Sequence, residues 1–82
     1  MTEYQQILSD LSNELVSFTK GRFEVGENTE LVGDLDLDSL QIMELLLFLE
    51  DSFDISIPVS ILPDVKTVGE LALQVEKIMR GG

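Results

Sequence analysis

Asp38-Ser39-Leu40-Gln41-Ile42-Met43-Glu44-Leu45-Leu46-Leu47-Phe48-Leu49-Glu50-Asp51-Ser52-Phe53 is the stretch on which the fold turns. Asp38 suits an N-cap, because its short carboxylate can accept an N–H that a first helical turn leaves unpaired. Gln41, three residues on, completes a capping box with it. Behind that start, residues 39–53 are dense in apolar side chains, and only Ser39, Gln41, Glu44, Glu50, Asp51 and Ser52 interrupt them. A helix apolar nearly all round is expected at the centre of a bundle, packed by several neighbours.

Outward from that helix, the flanks are helical as well. Tyr4, Ile7, Leu8, Leu11, Leu15 and Phe18 recur at helical spacing, so residues 3–19 form an amphipathic helix. Thr2 opens it as a cap with Gln5, and Gly21 stops it. Residues 20–37 show no sustained period and contain Gly26 and Gly33, so they read as a long loop. Phe23, Val25, Leu31 and Leu35 are the residues that pin this loop to the core. A loop of such length in a small domain is often functional. After the central helix, Pro58 and Pro63 bracket a single helical turn at 59–62. Thr67-Val68-Gly69-Glu70 is a second capping box, and Val68, Leu71, Ala72, Val75, Ile78 and Met79 continue on one face. Ile55-Ser56-Ile57 alternates like a strand, but three residues without a partner make no sheet. The expectation is an all-α fold. It is a small four-helix bundle of three main helices and one short one, with a long loop between helices 1 and 2. Residues 1–82 make one domain, without repeat or linker.

Composition removes most chemistry. The chain has no cysteine and no histidine, so disulfides, thiolate or imidazole catalysis and the usual zinc sites are excluded. Ser39 has no base to activate it, and carboxylates without a sizeable cleft are surface charge. The chain is therefore not expected to be an enzyme. Asp34-Leu35-Asp36-Leu37-Asp38 begins like a calcium loop, but Ser39 stands where the loop needs glycine and Leu45 where it needs glutamate. No metal site is expected. Residues 45–49 are the longest strictly apolar run, far short of the ~20 residues that span a bilayer. Met1-Thr2-Glu3-Tyr4-Gln5-Gln6 lacks a basic segment followed by an apolar one. A cytoplasmic monomer is the expectation. A domain this small should have a net stability of only about 3–5 kcal/mol.

Charge is unevenly placed. Sixteen acids against five bases give −11. Eleven of the acids fall between Arg22 and Lys66, where no basic residue stands, while the two ends are neutral. Nucleic-acid binding needs the opposite sign. Two readings stay open: a solvated acidic surface that keeps the protein soluble, or a face that attracts basic protein partners.

Ser39 lies directly after the cap, where the helix dipole is positive and backbone N–H groups are unpaired. That position suits an anionic adduct, such as a phosphodiester, on an outward hydroxyl. It is equally the position of an ordinary helix-start serine.

A family resemblance separates these readings. Asp38-Ser39-Leu40, then Glu44-Leu45, then Leu49-Glu50-Asp51-Ser52-Phe53-Asp54-Ile55-Ser56-Ile57-Pro58, resembles the core of the acyl carrier proteins. Thr67-Val68-Gly69-Glu70-Leu71 resembles the start of that family's last helix, so the match covers roughly residues 31–79. The tripeptide alone is weak; the three blocks at fixed spacing are strong. The resemblance implies that Ser39, flanked by Asp38 and Leu40, receives 4′-phosphopantetheine from coenzyme A. The thiol of that arm would hold an acyl group as a thioester, so the only thiol is borrowed. Implied partners are a phosphopantetheinyl transferase, an acyl-loading ligase or acyltransferase, and a downstream synthase with basic docking surfaces. These would read Asp38, Glu44, Glu50 and Asp51 on the second helix, with Leu40 and Met43 as apolar neighbours. Two positions depart from the pattern. Gln41, often acidic in fatty-acid carriers, is neutral. The short helix, usually acidic after its proline, is Val59-Ser60-Ile61-Leu62-Pro63-Asp64 here. Ile61 and Leu62 thus become candidate contacts, and a specialised lipid, polyketide or aminoacyl pathway is the more economical expectation.

Two rival readings come from other classes. An acidic helical adaptor without prosthetic group would share the fold. The Gly81-Gly82 tail invites comparison with ubiquitin-like modifiers and sulfur carriers, but those begin with a hairpin of strands, and residues 3–19 have helical period instead.

Overall fold

The computed structural model describes residues 3–21 and 24–81. They form α1 (Glu3–Phe18), α2 (Ser39–Phe53), a 3₁₀ helix (Val59–Asp64) and α3 (Val68–Met79). Among the described residues there is no strand, only an isolated antiparallel bridge between Glu30 and Thr67. The all-α architecture stands, and it leaves no place for the strand hairpin of a ubiquitin-like modifier. Thr2, Phe23 and Gly82 lie outside the described residues.

The core is aliphatic. Ile7, Leu11 and Leu15 of α1 pack with Leu45, Leu46 and Leu49 of α2 and with Val68, Leu71, Ala72 and Val75 of α3. The closest helix pair is α1 with α3. That corrects the expectation of a central α2 enclosed by neighbours: α2 buries one face and turns Leu40, Met43 and Leu47 to solvent.

Helix ends follow their local chemistry. Two bonds close α1, from the Gly21 N–H to the Val16 carbonyl at 2.7 Å and from the Lys20 N–H to the Ser17 carbonyl at 3.1 Å. This is a Schellman pattern, with Lys20 at the left-handed position (φ 58°). The chain therefore turns one residue before the glycine expected to stop it. Asp54, also left-handed at φ 55°, closes α2, a conformation that aspartate tolerates better than most residues. Thr67 and Glu70 form the expected capping box of α3.

The loop before α2 is far from structureless. The Leu31 N–H donates to the Lys66 carbonyl at 3.0 Å, and the Val68 N–H donates to the Thr29 carbonyl at 2.9 Å. The Asp34 and Leu35 N–H groups both donate to the Glu30 carbonyl, winding residues 30–35 into one turn. Leu31 and Leu35 are buried and Val25 is partly buried, as expected; Leu37 is buried too. The Glu27 carbonyl accepts from the Gly69 N–H at 2.8 Å, and the Glu27 carboxylate accepts from the Tyr4 hydroxyl at 2.9 Å. The loop is thereby stitched to both α1 and α3 and delivers the chain to Asp38 in a fixed direction. The short helix runs past Pro63 to Asp64 instead of stopping at 62, because its three-residue bonds (Ile61 N–H to Pro58 carbonyl, Val65 N–H to Leu62 carbonyl) ask no N–H of Pro63.

Candidate functional site

Asp38 is the N-cap of α2, with extended backbone (φ −90°, ψ 176°). Its Oδ1 accepts from the Gln41 N–H at 2.8 Å, and Gln41 Oε1 accepts from the Asp38 N–H at 3.0 Å. The box spends the Asp38 carboxylate on the backbone. Ser39 is the first helical residue and is exposed. The N–H groups of Ser39 and Leu40 stand in the first turn, where no carbonyl of the helix can take them. A phosphodiester on the Ser39 hydroxyl would sit beside these donors and the positive end of the dipole. The residues present thus fit a phosphate-linked arm.

Beyond Ser39, the helix sorts its side chains by angle. At 3.6 residues per turn, Leu40, Glu44, Leu47 and Asp51 fall within about 40° of one line. All four are exposed, Leu40 at 70% and Leu47 at 61%. Met43, 39% exposed, flanks the line. Apolar and acidic side chains therefore alternate along the outward face from Ser39. Neither Glu44 nor Asp51 has an ion-pair partner among the described residues.

Glu50 is placed differently from the other acids. It is half-buried, and its Oε2 accepts from the Ile57 N–H at 2.7 Å. This bond folds the extended segment after α2 back along the helix. Ile61 and Leu62 are half-buried and packed against the core, while Val59, Ser60, Pro63 and Asp64 of the 3₁₀ helix are exposed. Leu47 and Val59 were not singled out by the sequence reading. Leu47 had a signal, its spacing of seven from Leu40 with an acid on either side; Val59 had none.

A second feature adjoins α2. A cleft of about 500 Å³ runs between the loop before α2 and the segment after the 3₁₀ helix, walled by Leu31, Val32, Ile42, Leu62, Pro63 and Val65. Ile42 lies three residues after Ser39, roughly one helical turn away. Among the described residues no group of three or more metal-ligating side chains comes together, and no helix is long and apolar enough to cross a membrane.

An exposed serine behind an aspartate cap on a four-helix scaffold suits one class of protein, modules that carry a prosthetic arm. The sequence model of the family described as "Phosphopantetheine attachment site" matches residues 8–75. An acyl carrier protein of Lactobacillus acidophilus is 36% identical over 66 residues, covering 74% of this chain and 82% of that protein. One from Exiguobacterium sibiricum is 34% identical over 73 residues, covering 88% and 92%. A probable acyl carrier protein of Caulobacter vibrioides is 45% identical over 49 residues, covering 60% of this chain and 57% of its own length. The chain belongs to the acyl carrier protein family. It is a non-catalytic carrier whose prosthetic group is 4′-phosphopantetheine.

Proposed function

We propose that Ser39 bears the 4′-phosphopantetheine arm, and that the chain, as one carrier domain, presents acyl groups to the enzymes of a specialised lipid, polyketide or aminoacyl pathway. The observation that carries this reading is the exposed Ser39 hydroxyl at the capped start of α2, inside the span matched by the family. When bound, the arm supplies the thiol that holds the acyl group as a thioester. The chain's own residues do the rest. Asp38 and Gln41 fix the first turn so that the hydroxyl faces a transferase. The cleft beside Ile42 offers apolar walls in which an aliphatic acyl chain loses its contact with water.

The line of Leu40, Glu44, Leu47 and Asp51, with Met43 beside it, is the surface we assign to the transferase, the loading enzyme and the synthase. Basic rims on those partners would be steered by the acids and seated on the apolar residues. Glu50 supports this face from behind through its bond to Ile57. The specialised pathway is inferred from the short helix, which exposes Val59 near its start and carries a single acid, Asp64, at its end. Ile61 and Leu62, half-buried in the same helix, are the apolar contacts we assign to the same partners. Net charge of −11 keeps such a carrier apart from its own copies, so a monomer is the state we infer, and the cytoplasm is the compartment we propose for it. The test is intact mass after incubation with coenzyme A and a broad phosphopantetheinyl transferase. One arm should be added to the wild type and none to Ser39→Ala. Modification of the Ala variant would move the site elsewhere.

A further inference from the structure

The apolar cleft beside α2 has a charged rim. Glu30 stands on one wall and Lys66 on the other, and both line the cleft. Lys66 Nζ reaches Glu30 Oε2 at 3.6 Å. Lys66 is the lone base between residues 23 and 76, so this cation has been placed in the one stretch otherwise given over to acids. The Glu30 carboxylate, for its part, lies over Gly33, in the space where a side chain at 33 would begin. Gly33 also lines the cleft. The Glu30 side chain therefore runs along its wall as far as Gly33 and meets Lys66 from the opposite wall. The backbone bond from the Leu31 N–H to the Lys66 carbonyl ties the same walls at one end. The ion pair adds a side-chain tie next to that backbone bond.

We propose that Glu30, seated on Gly33, and Lys66 form a strap across the cleft that determines how firmly an acyl chain is held there. The proposal rests on the reading of this chain as an acyl carrier with an aliphatic cargo in that cleft. An exposed pair of this kind shifts an equilibrium by no more than about fivefold. Such a strap cannot lock the cleft. It biases the cleft towards closure while leaving the cargo free to emerge when an enzyme draws it out. Salt weakens the bias, since both partners stand in solvent.

The experiment uses the protein loaded with an octanoyl thioester and, as reference, an acetyl one. Two quantities are read: the amide chemical shifts of Leu31, Ile42 and Val65, and the rate at which hydroxylamine cleaves the thioester. In the wild type the octanoyl chain should shift these three amides relative to acetyl and slow cleavage. Lys66→Glu places like charges across the cleft and should raise the octanoyl cleavage rate up to about fivefold. Gly33→Ala should do the same by pushing the Glu30 carboxylate off its seat, at little cost to the fold because only the tip of a flexible side chain must move. The charge swap Glu30→Lys with Lys66→Glu should restore the wild-type rate. Cleavage unchanged in Lys66→Glu and Gly33→Ala, or a swap no better than the single reversal, overturns the strap. Octanoyl and acetyl forms with the same amide shifts overturn it as well, by removing the cargo from the cleft. Failure of Ser39 to accept the arm would instead sink the carrier reading, and it is seen beforehand in the intact mass.

Discussion

Gly69→Ala should destabilise the protein by about 1–2 kcal/mol, although alanine is the better helix former. Gly69 is the second residue of α3 and is buried. A Cβ there would lie 2.8 Å from the Glu27 carbonyl oxygen, 3.1 Å from the Glu27 Cβ and 3.1 Å from the Tyr4 hydroxyl. The first of these is backbone, and it is held in place by the Gly69 N–H itself at 2.8 Å. The methyl group can be accommodated only if the loop lifts from α3, which strains both that bond and the one from Tyr4 to Glu27. Overpacking of this kind costs about 1–3 kcal/mol, offset by up to about 1 kcal/mol of helix propensity. The remainder is a large share of the roughly 3–5 kcal/mol available to a domain of this size. A melting temperature lower by about 5–15 °C follows from the usual scaling for small domains. Urea unfolding of wild type, Gly69→Ala and Gly33→Ala provides the assay. Gly33→Ala is the control, since its new methyl meets the movable Glu30 carboxylate. Equal losses in the two variants, or none at position 69, would show that the loop is not held against α3 by this close approach.

Two further outcomes follow from the surface and the caps. Glu44→Lys reverses a charge in the middle of the exposed line on α2 and should lower the efficiency of acyl loading, more at low salt than at high, with the helical signal unchanged; Glu3→Lys, at the start of α1, should leave loading as it was, and equal losses from the two would reduce the acidic face to a solvated surface. The Glu70 carboxyl is held below the usual carboxylate range by the backbone N–H groups of Thr67 and Lys66 that donate to it, at 2.9 and 2.8 Å. The native state thus binds fewer protons than the unfolded chain. Its contribution is full above the ordinary carboxylate range and is lost as pH falls through the lowered value. Glu70→Gln keeps an acceptor for both N–H groups and should flatten the acid side of the melting-temperature profile, and a profile as steep as the wild type's would assign the acid sensitivity to other carboxylates.

What could be read from the residues alone divides according to how local the cause is. The caps at Asp38 and Thr67 were legible because each is a bond between side chain and backbone three residues apart, and both appear as expected. Ser39 was singled out by the family resemblance, and its expected place, exposed in the first turn of one helix, is likewise a local matter. The phase of α2 was not. Leucines at 40, 45, 46, 47 and 49 give a period no purchase, because almost every direction is apolar, and what decides is which face α1 and α3 leave uncovered. The neighbours bury Leu45, Leu46 and Leu49 and leave Leu40 and Leu47 outside. Glu50 was equally opaque, since its bond to Ile57 exists only once the chain has folded back past Asp54. A helix that must be read by several enzymes has a reason to be apolar on both sides. One side holds the domain together, and on the proposed reading the other is the side that meets partners. Glu44 and Asp51, seven residues apart, are the marks that tell the two sides apart. On that reading, acids at this spacing mark the face we propose for partners, and they stand on the exposed line that begins beside Ser39.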